Sequence, residues 1–320
     1  MNQSQLKTPV LLVIFNRPET SDVCFEAIRK VKPEKLYIAA DGPRKDRPGE
    51  AEKCAKAREI INRVDWPCEL KTLLRDENLG CKLGTTGGIN WMFGQEEYGI
   101  IFDDDCVADP SFFYFCEELL EKYKDDERIM HICGTNFQQK NPNFNIKESY
   151  YLSKISQNWG WATWRRAWAT YYLPEMENWP EYKNSKEFKK WINNKIFRTH
   201  WSDLFDQRYY QKITDWDISW TYSCMSRRGL CIVPKTNLIT NIGSGIAGTH
   251  GIKSDRLAHF PTTKINFPLI HPSVFNINEN ADTYTQKYVH GIKTGIYREI
   301  LLFFKTHFPS FFQKVKLLLK

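Results

Sequence analysis

Between residues 9 and 105, short apolar runs of strand length alternate with longer amphipathic segments, and this alternation places the chain in the α/β class. Residues 10–15 read as a buried strand, and residues 21–31 carry Val23, Ala27, Ile28 and Val31 at helical spacing behind Thr20-Ser21. Residues 36–40 form a second apolar run that stops at the turn signal Asp41-Gly42-Pro43, and residues 50–64 follow as a charged amphipathic helix. A third run (70–74), a helix (84–93) and a fourth run (99–102) complete the series. Repeated βα units imply a mostly parallel sheet flanked by helices, with ligands gathering at the carboxyl ends of its strands.

The fourth run ends in Asp103-Asp104-Asp105. Three adjacent carboxylates repel one another, so the cluster is best tolerated where a cation or a set of donors meets it. A solvated turn is the plainer reading, but turns seldom need three acids in a row. The triplet therefore marks a candidate metal site where the fold expects a ligand.

The remainder of the chain narrows the function by exclusion. Its 320 residues suffice for one large or two modest domains. Eleven Trp add core mass and, at a surface, suit the flat faces of sugars. The net charge of +7 is concentrated at one end, where residues 293–320 carry six Lys or Arg against Glu299 alone. No finger, RNP or basic-helix pattern accompanies it, so nucleic acid is not an expected partner. Nine cysteines without a C-x-x-C pair indicate neither a disulfide framework nor a zinc site. The apolar run 10–15 is broken by Asn16-Arg17-Pro18, too soon for a signal peptide or a membrane span, which leads to an expected cytoplasmic location.

Residues 111–123 read as a helix with Pro110 before it and one apolar stripe. After Gly134 the chain turns polar and Asn-rich (135–149), and residues 158–220 carry most of the Trp. Residues 229–233 form another short strand, and 237–251 are rich in Gly and Thr. These shifts divide the chain into a first half, 1–149, a second half, 150–275, and a C-terminal tail, 276–320. From residue 292 the tail mixes Ile, Leu and Phe with basic residues, the pattern of an amphipathic helix that lies in a membrane surface or packs on its own domain.

Three blocks carry a family likeness. Leu12-Val13-Ile14-Phe15-Asn16-Arg17-Pro18, the triplet with the following Val107-Ala108-Asp109-Pro110-Ser111-Phe112-Phe113, and Gly160-Trp161 resemble nucleotide-sugar glycosyltransferases of the GT-A fold. The nearest variant is the N-acetylglucosaminyltransferase I family with its bacterial relatives. The resemblance implies a GT-A, Rossmann-like sheet and a strand-end triplet equivalent to the DXD motif. It makes Asp105 the ligand of Mn²⁺ or Mg²⁺ and Asp104 a ribose contact, while Asp103 stands where the family has Glu. By the same resemblance Asp41 recognises the nucleoside, Arg17 lies near the nucleotide, and residues 78–82 shape the donor pocket, where Lys82 meets phosphate. Gly160 and Trp161 belong to the donor-sugar site, with backbone approaching the sugar and an indole covering it; a core Trp pair is the alternative.

The chemistry of glycosyl transfer agrees with this set. A departing diphosphate needs a divalent cation, and oxygen ligands suit Mn²⁺ or Mg²⁺. The acceptor hydroxyl needs a base as it attacks. Asp217, with Asp215 as its neighbour, resembles the family's Trp-flanked acidic pair, although Trp216 separates the two acids here; both also suit a helix N-terminus. His250, after a Gly-rich stretch, is placed to bind the metal or the diphosphate when a loop closes. The expectation is a metal-dependent, inverting transfer from a UDP-sugar to a glycan or lipid-linked glycan in surface polysaccharide synthesis, at the cytoplasmic face of the inner membrane through the basic tail.

Two rivals come from other classes. Asp103-x-Asp105-x-Val107 also satisfies the nucleophile motif of haloacid-dehalogenase-like phosphatases, which usually carry it on their first strand. A noncatalytic carbohydrate-binding protein would use the Trp residues and have no need of the triplet.

Overall fold

A computed structural model describes residues 5–243 and 257–295. In chain order the elements are β1 (Val10–Ile14), α1 (Pro18–Arg29), β2 (Lys35–Ala40), α2 (Glu50–Arg58), β3 (Glu69–Leu74), α3 (Gly80–Phe93), β4 (Tyr98–Asp103), β5 (Cys106–Ala108) and α4 (Pro110–Lys122). The second half adds β6 (Ile129–Cys133), β7 (Tyr150–Ser153), β8 (Trp161–Trp164), α5 (Arg165–Tyr171), α6 (Trp179–Asn184), α7 (Lys186–Trp191), α8 (Lys195–Tyr209), α9 (Trp216–Ser226), β9 (Leu230–Pro234), β10 (Ile239–Asn241) and α10 (Glu279–Tyr288).

Eight strands form one sheet in the order β3-β2-β1-β4-β8-β6-β9-β7. Pairing is parallel among β1, β2, β3 and β4 and between β6 and β9, while β8 runs antiparallel to both β4 and β6, and β7 antiparallel to β9. The mixed α/β class and the mostly parallel sheet expected from the first 105 residues are thus observed. Val10, Leu11 and Leu12 of β1 are fully buried, as a continuous apolar run should be when helices cover both faces. Proline at the first turn starts α1 three residues earlier than periodicity suggests, so Cys24, Phe25 and Ile28 face the core and Val23 faces solvent. Asp109 caps α4 through Ser111 N at 2.8 Å.

Strands β6, β7 and β8 were not anticipated; β8 is a four-residue Trp-Ala-Thr-Trp run with no helix or strand signature of its own. Ser149 immediately precedes β7, and β7, β8 and β9 lie in the same sheet as β1 to β4, so the sheet continues across residue 149. A hydrophobic cluster containing Leu12, Phe102, Leu152 and Ile232 spans both halves. Helices α6 to α9 gather around a separate cluster of Trp179, Phe188, Trp201, Phe205 and Tyr222. The 276–320 segment opens as a packed helix: Asp282 of α10 accepts from Ser153 Oγ at 2.5 Å and from Lys154 N at 2.9 Å. The amphipathic stretch from 296 onward lies outside the described residues.

Candidate active site

Every expected donor-site residue within the described chain lies at or near one edge of the sheet, because that edge collects the carboxyl ends of β1, β2 and β4. Asp103 closes β4 beside Val13 of β1. Arg17, in the link from β1 to α1, reaches across to the triplet: its Nη1 donates to Asp105 Oδ2 at 2.8 Å and its Nη2 to Asp104 Oδ1. The small β5-β10 ribbon braces the other side. Asn241 Nδ2 donates to Asp105 Oδ1 at 3.0 Å, and Ile242 N donates to the Asp105 carbonyl at 2.8 Å. Gly243 packs so closely that a Cβ there would lie 2.1 Å from Asp105 Oδ2, so only glycine permits this approach.

The electrostatics show a site short of positive charge. Burial, reinforced by the charges of Asp105 and Asp104, pushes the Asp103 carboxyl up to about 8. Burial also pushes Asp104 up to about 6 despite Arg17 beside it. Burial alone would lower Arg17, but Asp104 and Asp105 outweigh it and hold the guanidinium firmly charged. Asp104 is 3% exposed, and its Oδ2 is buried with no hydrogen-bond partner among the described residues. An orphaned carboxylate oxygen is costly unless a ligand completes it.

Asp105, whose Oδ1 accepts from Asn241, would offer a carboxylate oxygen of the kind a divalent cation takes. No group of three His, Cys, Asp or Glu is gathered as a ligand set among the described residues. A hard cation here would therefore complete its shell with diphosphate oxygens and water, as Mg²⁺ and Mn²⁺ commonly do.

The remaining candidates are placed as follows. Asp41, 6% exposed, accepts from Leu79 N at 3.0 Å, Gly80 N at 3.2 Å and Asn78 Nδ2 at 2.9 Å, so its carboxylate anchors the start of α3. Lys82 is on the first turn of α3 and pairs with Glu175. Asp215 is the N-cap residue of α9 without a capping side-chain bond, and Asp217 sits in the first turn, accepting from Ile218 N at 3.0 Å. Asp217 lies near enough to help raise the Asp103 carboxyl, and both acids, with Asp103, help raise the Cys81 thiol. The triplet and the start of α9 are therefore near one another. His250 lies outside the described residues.

Because β8 is antiparallel, its start falls at the same edge. Gly160 has φ +54°, and a Cβ there would lie 2.6 Å from Ile239 Cδ1, so glycine is required both by conformation and by space. Trp161 does not cover a sugar. It is 1% exposed, stacked on His131 and Trp216 at 5.0 and 5.9 Å between centroids, and the core reading of the Trp pair holds for it. Its neighbour Trp159 is the partly exposed indole, and Asn158 Oδ1 is a second buried oxygen without a partner. The sequence reading rested on Gly160 and Trp161 and gave no role to Asn158 and Trp159 just before them, since both lie outside β8 and carry no periodic signal. It also missed Asn241, for which no local signal exists.

No family model and no curated protein matches the chain. Among solved structures, S. aureus TarS 1–349 is similar at TM-score 0.42 and 10% identity, over 73% of this chain and 59% of that one. The Pyrobaculum calidifontis mannosyltransferase PcManGT, in complex with GDP-Man and Mn²⁺, is similar at TM-score 0.38 and 11% identity, over 68% of this chain and 70% of that one. The inositol-1-phosphate CTP transferase of T. maritima is similar at 0.34 and 10%, over 79% and 94%. The chain thus spans about three-fifths of the TarS fragment. Its own topology, a mostly parallel sheet with the acidic triplet ending β4, fits the GT-A fold.

Proposed function

We propose that this protein is a divalent-cation-dependent glycosyltransferase that moves a sugar from a nucleotide-diphosphate donor, with UDP as the nucleotide, to a hydroxyl of a glycan or lipid-linked glycan. One observation carries the reading: the triplet at the end of β4, with Asp104 buried and Asp103 and Asp105 half-buried, outweighs in charge the Arg17 that bridges it, and Asp104 Oδ2 lacks a hydrogen-bond partner among the described residues. Asp105 holds the cation, which when bound offsets the charge of the departing diphosphate. Asp104 Oδ2 accepts from a ribose hydroxyl. Arg17 binds the diphosphate side of the nucleotide, and Lys82 joins it by leaving Glu175. Gly160 brings its backbone to the donor sugar, with Asn158 and Trp159 beside it. Asp217 removes the proton of the acceptor hydroxyl, and a single displacement inverts the anomeric centre. Asp41 serves the nucleoside through the loop it anchors.

The phosphatase reading fares worse. Its motif belongs on the first strand, whereas here three strands precede the triplet, which closes β4. Among the described residues no helix is long and apolar enough to cross a membrane, and attachment through the basic tail remains part of the proposal. The test is release of nucleoside diphosphate from a panel of UDP- and GDP-sugars with Mn²⁺. Release lost in Asp105→Asn and in Asp217→Asn, both still folded, supports the assignment. Release that survives Asp217→Asn but not Asp215→Asn moves the base to Asp215, and no release from any donor overturns the proposal.

A further inference from the structure

His131 stands in the middle of β6 and is completely buried. Its ring stacks on Trp161 with planes 18° apart. Both ring nitrogens are engaged: Trp220 Nε1 lies 3.1 Å from Nδ1, and Nε2 lies 2.9 Å from the carbonyl oxygen of Gln157. An indole N–H can only donate and a carbonyl can only accept, so the proton must sit on Nε2 and the lone pair on Nδ1. A second proton would set two donors against each other. Burial agrees, pulling the imidazole down to about 4 and keeping it neutral.

The two bonds join parts of the chain that sequence does not connect. Trp220 is three residues beyond Asp217 on α9. Gln157 immediately precedes Asn158, Trp159 and Gly160, which lead into β8. A second junction runs alongside, where Ser156 Oγ and Thr221 Oγ1 lie 2.7 Å apart. Packing alone does not call for histidine at 131: phenylalanine would keep the stack on Trp161 and lack only the two hydrogen bonds. Those bonds are the feature that needs a role.

We propose that His131 is a positioning residue that sets the acids of α9 against the 157–160 loop, fixing the distance between the acceptor's base and the donor sugar. This rests on the glycosyltransferase reading for its consequence, but not for the linkage itself. The geometry makes β6 the rigid post, with the imidazole passing a constraint from a helix on one side to a loop on the other. A misplacement of about 1 Å between base and sugar costs on the order of 100-fold in turnover, without needing a loss of donor affinity.

The test uses the full chain with His131→Phe, which keeps the stack, and Trp220→Phe, which removes the donor on α9 together with part of the buried indole, with Trp168→Phe as the control that trims the same core without touching His131. Hydrogen exchange is read at amides 157–160 and along α9. Exchange at 157–160 should rise about ten-fold or more in both variants, including the one whose substitution lies on α9, and not in the control. Calorimetry should find UDP binding with Mn²⁺ within about three-fold of wild type, while donor turnover falls about 100-fold at little-changed KM. Unchanged exchange at 157–160 in Trp220→Phe overturns the linkage. A fall in turnover that only tracks the folded fraction overturns the positioning role. If the wild type binds no nucleotide, the glycosyltransferase reading fails, and the exchange result still decides the linkage by itself.

Discussion

Arg17→Met removes the cation that bridges the triplet while keeping most of the apolar stem. Breaking a buried ion pair by removing one partner costs about 3–5 kcal/mol, because the other charge stays buried. The Arg17 side chain is 25% exposed, whereas Asp104 is 3% exposed, so solvent relieves part of that cost. A loss of about 2–3 kcal/mol is expected at pH 7.5, since Asp104, already raised by burial, recovers only part of it by taking up a proton. In a chain of this size that lowers the melting temperature by roughly 5 °C. Divalent cation changes the comparison. In the wild type Mn²⁺ must displace Arg17 from Asp105 Oδ2, whereas in the variant the carboxylates stand open, so millimolar Mn²⁺ should raise the variant's melting temperature more than the wild type's. A ligand at a hundred times its Kd adds about 2.7 kcal/mol, enough to offset the substitution. Differential scanning fluorimetry with Mn²⁺ or with chelator gives the four values needed. A variant as stable as wild type, or an equal Mn²⁺ increment in both, would refute the reasoning.

Other expectations follow from the same geometry. Burial pushes the Asp282 carboxyl up to about 7 despite its bonds to Ser153 and Lys154. Its folded pKa thus exceeds its unfolded one, so its contribution is fully present below about pH 4 and is lost as pH rises through 7. Asp282→Asn should flatten that part of the stability–pH curve, measured by denaturant titration between pH 4 and 8; an unchanged slope would count against a buried acid there. Trp161→Ala should cost about 3–5 kcal/mol by emptying the core, whereas Trp159→Ala should cost less and act on turnover. Melting curves and nucleotide-release rates for the pair separate the two roles, and the reverse pattern would return Trp161 to the sugar site.

Strands β1, β2 and β4 were legible because each is a continuous apolar run closed by a turn signal, which is what a strand buried on both faces requires, whereas β3, an edge strand with Lys71 and Thr72 inside it, is exposed or half-buried along its length. The strands β6, β7 and β8 were not legible, since short segments such as Trp-Ala-Thr-Trp become strands through their neighbours. The triplet stood out because clustered carboxylates have few uses. Its partner did not: Arg17 lies 88 positions from Asp105, and residue type alone cannot separate a guanidinium that waits for phosphate from one already bridging carboxylates. Asp41 shows the same limit, because its hydrogen bonds go to residues 78–80, some 37 to 39 positions away. The Trp residues divide by tertiary packing: Trp161 stacks within the core, whereas Trp159, two positions earlier and outside β8, stays half-buried. Counting them located the region without telling Trp159 from Trp161.

The most direct test of the central claim is calorimetric titration of UDP, and then GDP, into wild type and Asp105→Asn, with Mn²⁺ present or chelated. Binding of one nucleotide that requires Mn²⁺ and disappears in the variant is the predicted result. Binding indifferent to Mn²⁺ or to Asp105, or no binding of either nucleotide, would contradict a metal-assisted nucleotide-sugar site at the end of β4.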